Sequence, residues 1–135
     1  LQVLDLFGGT GSISFEFASR GASMVYCVEM LPLHANFIKY QAAKFALRNL
    51  TVVRHNVFEF LEICREKFDI IFADPPYALE DLATIPDKIF AKDILHPGAY
   101  LILEHPGDYN FEEHPYFIKE KKYGNVHFSF FEQPQ

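Results

Sequence analysis

Within this chain of 135 residues, Asp74-Pro75-Pro76-Tyr77 concentrates the most chemistry in the smallest space. The four residues follow an apolar run, Phe68 to Ala73, that reads as a buried strand. A carboxylate, a carbonyl on a ring-locked residue and an aromatic face could together hold a planar amine. An exocyclic base amine is a poor nucleophile, because its lone pair is delocalised into the ring. Two acceptors for its N–H groups would aim that lone pair and stabilise the positive charge developing on nitrogen in an in-line displacement. Asp74 can be one acceptor, and the Pro75 carbonyl the other, since proline lacks an N–H but keeps its C=O. Tyr77 can stack on a base, worth about 1–3 kcal/mol, and a paired base would have to be turned out to reach it. Taken alone, the same residues also describe a proline-rich turn with an acid as its cap.

The second constellation is Asp5-Leu6-Phe7-Gly8-Gly9-Thr10-Gly11, which leaves one strand and enters a helix. Its glycines permit a sharp turn and the close approach of a ligand. The helix beyond offers free N–H groups to an anion. Ser14 stands where a dinucleotide fingerprint needs its third glycine, so the loop is not G-x-G-x-x-G. Asp5 could bind an ammonium through the turn. Glu29, at the end of the next strand, could accept both hydroxyls of a ribose. Asn56 could reach an adenine edge, with the Val57 backbone N–H beside it, or serve only as a helix cap.

The elements that must position these groups alternate along the chain. Strands are expected at Leu1 to Leu6, Met24 to Val28, Leu50 to Val53, Phe68 to Ala73 and Ala99 to Leu103, the last beginning after a break at Gly98. Helices are expected at Gly11 to Ser19, closed by Gly21, at Leu33 to Leu47 with Pro32 at its start, at Val57 to Cys64, and at Leu82 to Ile94. Inward-facing positions are Ile13, Phe17 and Ala18 in the first helix, Phe37, Ile38, Ala42, Phe45 and Ala46 in the second, and Ile85, Ile89 and Phe90 in the last. Phe117 to Tyr123 and Val126 to Phe131 form a hairpin about Gly124-Asn125. The expected fold is one α/β domain over residues 1–135: a doubly wound, mostly parallel seven-stranded sheet with a C-terminal antiparallel hairpin. Ligands in such sheets bind beyond the carboxyl ends of the strands, where both constellations fall.

Composition narrows the classes. Half the residues are apolar, which suits one cored domain. No run of about 18 apolar residues suggests a membrane span, and no secretory signal pattern opens the chain. A net charge of −6 argues against an electrostatic grip on nucleic acid over the whole surface. Lys119, Lys121 and Lys122 form the one tight basic cluster, best read as protection of a strand edge. Cys27 and Cys64 lack a metal or redox spacing and read as reduced thiols of a cytoplasmic protein. The six histidines are scattered without ligand spacing, so no metal is expected, and His105 reads as a satisfied structural histidine. Little suggests a self-association face, so a monomer is expected. The opening at Leu1-Gln2-Val3, without an initiator Met, predicts a natural protein that extends upstream.

The glycine loop and the D-P-P-Y clamp, in this order, resemble those of the S-adenosylmethionine-dependent amino-methyltransferases, of Rossmann-like class I fold. Leu4 to Gly11, Ser19-Arg20-Gly21-Ala22, Phe68 to Tyr77, Glu104-His105 and Tyr123-Gly124 also fall in the order of the bacterial guanine-N2 methyltransferases of small-subunit ribosomal RNA. S-adenosyl-L-methionine has a ribose, a carboxylate and an ammonium but no phosphate, which suits an acid–glycine–acid layout. The resemblance implies a cofactor-binding set of Asp5, Phe7, Gly8, Gly9, Thr10, Gly11, Glu29, Met30, Asn56 and Val57. It implies a catalytic set of Asp74, Pro75, Pro76 and Tyr77. The implied product is N2-methylguanine in ribosomal RNA, within an assembled or assembling small subunit. Gly8 stands where that family often has Ala, and Asn56 where it usually has an acid. Rival readings are an N6-adenine DNA methyltransferase, for which the chain has no room for a target-recognition region, a protein-glutamine methyltransferase, which favours Asn at the place of Asp74, and a non-catalytic module of the same fold, expected to have lost Asp74 or a loop glycine.

Overall fold

The computed structural model describes residues 1–135. Seven strands, β1 (Gln2–Leu6), β2 (Met24–Val28), β3 (Leu50–Val53), β4 (Phe68–Ala73), β5 (Leu95–His105), β6 (Phe117–Tyr123) and β7 (Val126–Glu132), form one sheet in the order β3-β2-β1-β4-β5-β7-β6. The first five run parallel, and β7 is antiparallel to both β5 and β6. Helices α1 (Ser12–Ser19), α2 (Pro32–Lys44), α3 (Val57–Ile63) and α4 (Ile85–Ala91) make the connections. The expected architecture is borne out.

The strand sequence explains the sheet. Val3, Leu4, Asp5 and Leu6 are all buried, as a central parallel strand covered on both faces must be. The larger core cluster spans Leu4, Leu6, Ile71, Ala73, Leu101 and Leu103 on the face that receives α3 and α4. A smaller cluster, with Val3, Val25, Cys27 and Ile38, lies under α1 and α2. Each fully buried aliphatic chain contributes roughly 1.5–3 kcal/mol, so the central strands are the least free to shift. Strand order reverses between β1 and β4, and a crevice opens at their carboxyl ends.

Most local signals agree with the structure. Gly21, at φ +93, closes α1 in the left-handed conformation. Pro32 opens α2, and Gly124, at φ +62, turns the hairpin. Three expectations need correction. Gly98 does not precede the fifth strand. It lies inside β5, where pairing with β4 slips between Phe68 and Ile70 and its φ of +81 absorbs the bulge. The last helix starts late: Leu82–Thr84 is a 3₁₀ turn, and α4 begins at Ile85 with Pro86 in its first turn. It ends at Ala91, with Asp93 left-handed. In α2 the buried residues are Ala35, Ile38 and Ala42, while Phe37 and Phe45 are 46% and 62% exposed. A helix lying on one edge of a sheet buries a narrower stripe than its apolar content suggests.

Candidate active site

The turn after β1 and the turn after β4 face each other across one cavity of about 470 Å³, within the range of small-molecule sites. Phe7, Gly9, Glu29, Met30, Asn56 and Val57 line one side, and Asp74, Pro75, Pro76 and Tyr77 the other. The strand-end geometry therefore brings together all ten of these residues, each expected from the sequence.

The glycine turn is held open by its own backbone. Phe7 adopts φ +62, Gly9 φ +57 and Gly11 φ +85, so three residues of the turn are left-handed. For Phe7 that conformation is strained, and such strain persists where the surroundings impose it. The Gly8 N–H donates to the Val28 carbonyl at 2.9 Å, and the Gly11 N–H to Gly8 O at 2.8 Å. A Cβ on Gly9 would meet only Phe7 O, at 4.0 Å, so glycine leaves vacant space on the cavity side. Gly8 and Gly11 serve packing instead: a Cβ on Gly8 would collide with Cys27 Sγ, and one on Gly11 would reach Ile38 at 3.0 Å. Neither residue lines the cavity, nor does exposed Thr10. Of the residues expected to bind the cofactor, these three shape the turn from outside the cavity wall.

Asp5, also expected to bind the cofactor, lies beneath the turn. Its carboxylate is buried beneath the turn and accepts from Ser14 Oγ at 2.6 Å. Burial raises its pKa to about 6. Its charge sits behind the loop and does not line the cavity. Ser14, which the sequence presents only as a missing glycine, is therefore the hydroxyl that satisfies Asp5.

Glu29 ends β2 with its two oxygens fixed by backbone: Oε1 accepts from Gly9 N–H and Oε2 from Leu31 N–H, both at 2.8 Å. Each oxygen keeps a second lone pair, so a rigidly aimed carboxylate remains able to receive a diol. His34 Nδ1 stands 4.0 Å away, on the cavity wall. Asn56 Oδ1 caps α3, accepting from Phe58 and Glu59 N–H at 2.9 and 3.2 Å. Its amide nitrogen lies 3.7 Å from Met30 Sδ. Asn56 thus caps the helix and lines the cavity at once, and Val57 occupies the first helical position, where the helix makes no use of its N–H.

On the opposite wall, the Leu79 N–H binds Pro76 O at 3.0 Å, while no protein donor reaches the Pro75 carbonyl. The Tyr77 ring is 44% exposed, and its hydroxyl donates to Glu104 Oε2 at 3.2 Å. The Asp74 carboxyl rises from its ordinary 3.8 to about 7, through desolvation first and then the adjacent Glu104 carboxylate. In the sequence Glu104 stands out only as part of a resembling segment. The signal that could have found it is its place at the end of the strand next to β4, where Leu103 pairs with Ala73. Leu31, His34, Phe58 and Leu79 also line the cavity, without a motif to mark them. His105 is fully buried. Its Nδ1 donates to Pro106 O at 2.8 Å, so Nε2 accepts from Ser129 Oγ at 2.7 Å. It is a satisfied structural histidine. No group of three or more His, Cys, Asp or Glu side chains is arranged to hold a metal ion.

Solved structures share this architecture. A hypothetical protein from Thermus thermophilus superposes with a TM-score of 0.87 at 28% identity, covering 97% of this chain and 74% of its own. An rRNA methylase from Streptococcus thermophilus has the same fold with a TM-score of 0.75 at 14% identity, covering 99% and 88%. The fold is that of the Rossmann-like methyltransferases. Over residues 1–132 the sequence matches the family described as conserved hypothetical protein 95, and the chain belongs to that family. It is also similar to the ribosomal RNA small subunit methyltransferase D of Buchnera aphidicola subsp. Baizongia pistaciae, 29% identical over 132 residues, which cover 95% of this chain and 67% of that protein. The resemblance drawn from the motifs to the small-subunit rRNA methyltransferases is thereby borne out.

Proposed function

We propose that this domain transfers a methyl group from S-adenosyl-L-methionine to the exocyclic N2 amine of a guanine in small-subunit ribosomal RNA. The observation that carries the proposal is the single cavity with a bare glycine turn and fixed Glu29 on one wall and Asp74-Pro75-Pro76-Tyr77 on the other. The similarity to a small-subunit rRNA methyltransferase supports the RNA substrate.

The residues present fit the methyl donor. The space that a Cβ on Gly9 would fill admits a ligand against the backbone. Glu29 is aimed to accept ribose hydroxyls, and Asn56 and Val57 offer hydrogen bonds to an adenine edge beside the apolar walls of Phe7 and Met30. Asp5 and Ser14 hold the turn from beneath. When bound, the donor supplies an electrophilic methyl carbon, so the amine lone pair forms the N–C bond as the S–C bond breaks. Tyr77 stacks on the base. The Asp74 carboxylate accepts one N–H and the Pro75 carbonyl the other, orienting the lone pair and countering the charge that grows on nitrogen. Asp74 then stands ready for the proton released by the methylated nitrogen. The protein works as a monomer in the cytoplasm, on rRNA or the small subunit, without metal or membrane. No helix is long and apolar enough to cross a membrane.

The test is methyl transfer from labelled donor to small subunits lacking modification, naked rRNA, DNA and cell protein, with labelled nucleic acid digested to nucleosides. Label in N2-methylguanosine, absent with Asp74→Ala, is expected. Label in adenine or protein would discard the substrate and keep the chemistry.

A further inference from the structure

Beside Asp74 stands a second acid that the transfer chemistry above does not use. Glu104 follows Leu103, the partner of Ala73, so Asp74 and Glu104 extend the β4–β5 pair on one face of the sheet. Tyr77 Oη donates to Glu104 Oε2 at 3.2 Å, and the Asp74 and Glu104 carboxyls lie close enough to share a hydrogen bond when Asp74 is protonated. Two neighbouring acceptors thus stand at the ring that would stack on a base.

A base amine has a neighbour on its own edge, and that neighbour differs among bases. Guanine presents N1–H next to N2–H₂: two donors side by side. Adenine presents a lone pair at N1 next to N6–H₂, and cytosine a lone pair at N3 next to N4–H₂. A carboxylate beside the amine-binding acid attracts N1–H and repels a ring lone pair. We infer that Glu104 determines base specificity: with Asp74 on the N2 amine, the Glu104 carboxylate accepts guanine N1–H and rejects bases with an unprotonated nitrogen there. The inference rests on the proposed guanine-N2 reading and adds the residue that enforces it. Crowding of the two carboxylates agrees with it. Ionised together they repel each other, and a proton held between them relieves this in the free protein; a donor–donor edge can take that proton's place where a donor–acceptor edge cannot.

The discriminating probe is 2-aminopurine, which keeps the N2 amine and replaces N1–H with a lone pair. Small subunits are reconstituted with rRNA carrying either guanine or 2-aminopurine at the mapped methylation position. Initial transfer rates by the full-length protein are then compared. Sites built to hydrogen-bond one edge reject an analogue lacking it by up to about 10⁴–10⁵-fold. The wild-type protein is expected to favour guanine by about 10²-fold or more. Glu104→Gln, whose amide can donate to the ring lone pair, is expected to narrow that ratio at least about tenfold while lowering the rate on guanine. Tyr77→Phe, which loses the bond to Glu104 but keeps the ring, is expected to retain the wild-type preference. An unchanged ratio in Glu104→Gln, or the same narrowing in Tyr77→Phe, would overturn the inference and leave Glu104 an anchor for Tyr77. Absence of any N2-methylguanosine from the wild-type protein would instead overturn the underlying function. Far-ultraviolet circular dichroism of both variants separates misfolding from altered choice, and the ratio is read only from folded protein.

Discussion

Asp74 carries the burden at the scale of the residue. Its pKa near 7 arises from its surroundings: burial first, then Glu104 on β5, and last Asp5 on β1. If the ionised form accepts the amine N–H, kcat/KM falls as pH drops through about 7. Glu104→Gln removes the neighbouring negative charge, so the anion is easier to form and the acid limb moves to lower pH. A pH profile of both proteins checks this, and an acid limb moving upward would contradict it. For stability the sign is reversed. A carboxyl whose pKa is raised on folding contributes fully below 3.8, and that contribution is lost as pH rises through about 7. Asp74→Asn should therefore gain thermal stability relative to wild type between pH 5 and pH 8, as melting curves would show. The same variant should lose about 10²-fold or more in kcat while donor affinity by calorimetry stays within about threefold. The clamp was legible from sequence because all its members are adjacent. Glu104 was not, because its proximity to Asp74 comes from strand pairing between distant segments, which no local spacing reveals.

The elements succeed or fail by their ends. Asn56 caps α3 with two bonds and also lines the cavity, so Asn56→Ala should cost about 0.5–2 kcal/mol in a denaturant titration and weaken donor binding as well. Loss of stability with unchanged donor affinity would confine Asn56 to the cap. The turn after β1 is subject to a different constraint. Gly8 has no room for a methyl group because Cys27 Sγ fills it, and Cys27 is fully buried with its thiol pushed up to about 12. Gly8→Ala should destabilise by about 1–3 kcal/mol through overpacking. Adding Cys27→Ala should recover part of that loss, although Cys27→Ala alone leaves a cavity. Such non-additivity in a double-mutant cycle is the signature of direct contact, and purely additive losses would refute it. From sequence, the glycines announced a turn but not which of them faces a ligand. Gly9 faces the cavity, whereas Gly8 and Gly11 face β2 and α2. Gly98 misled for a related reason: a left-handed glycine marks a bulge as readily as a break, and only the pairing of β5 with β4 and β7 decides.

At the scale of the molecule, the sheet has two edges, β3 and β6, and they are guarded differently. Strand β3 is only four residues long. Strand β6 has seven residues, six of them exposed, and would invite a second strand if it were uncharged. Lys119, Lys121 and Lys122 lie along it. Lys119 and Lys121 fold back over the Phe130 ring, with ammonium-to-centroid distances of 4.9 and 6.0 Å. Each lysine thus covers an aromatic ring with its stem and leaves a positive charge at the edge. Two roles compete for this cluster: protection of the edge, and attraction of RNA to a chain whose net charge is −6. The geometry favours protection, because two of the three ammonium groups are engaged with the sheet's own ring. Replacing all three with Ala should produce concentration-dependent association in sedimentation velocity, with donor affinity unchanged because the cavity lies at the other end of the order β1-β4-β5-β7-β6. Replacing them with Arg should keep the protein monodisperse. An RNA-gripping cluster would behave otherwise: the Ala variant would stay monodisperse, and the slope of log affinity against log salt would become shallower by roughly 0.7 per lysine removed on a single strand.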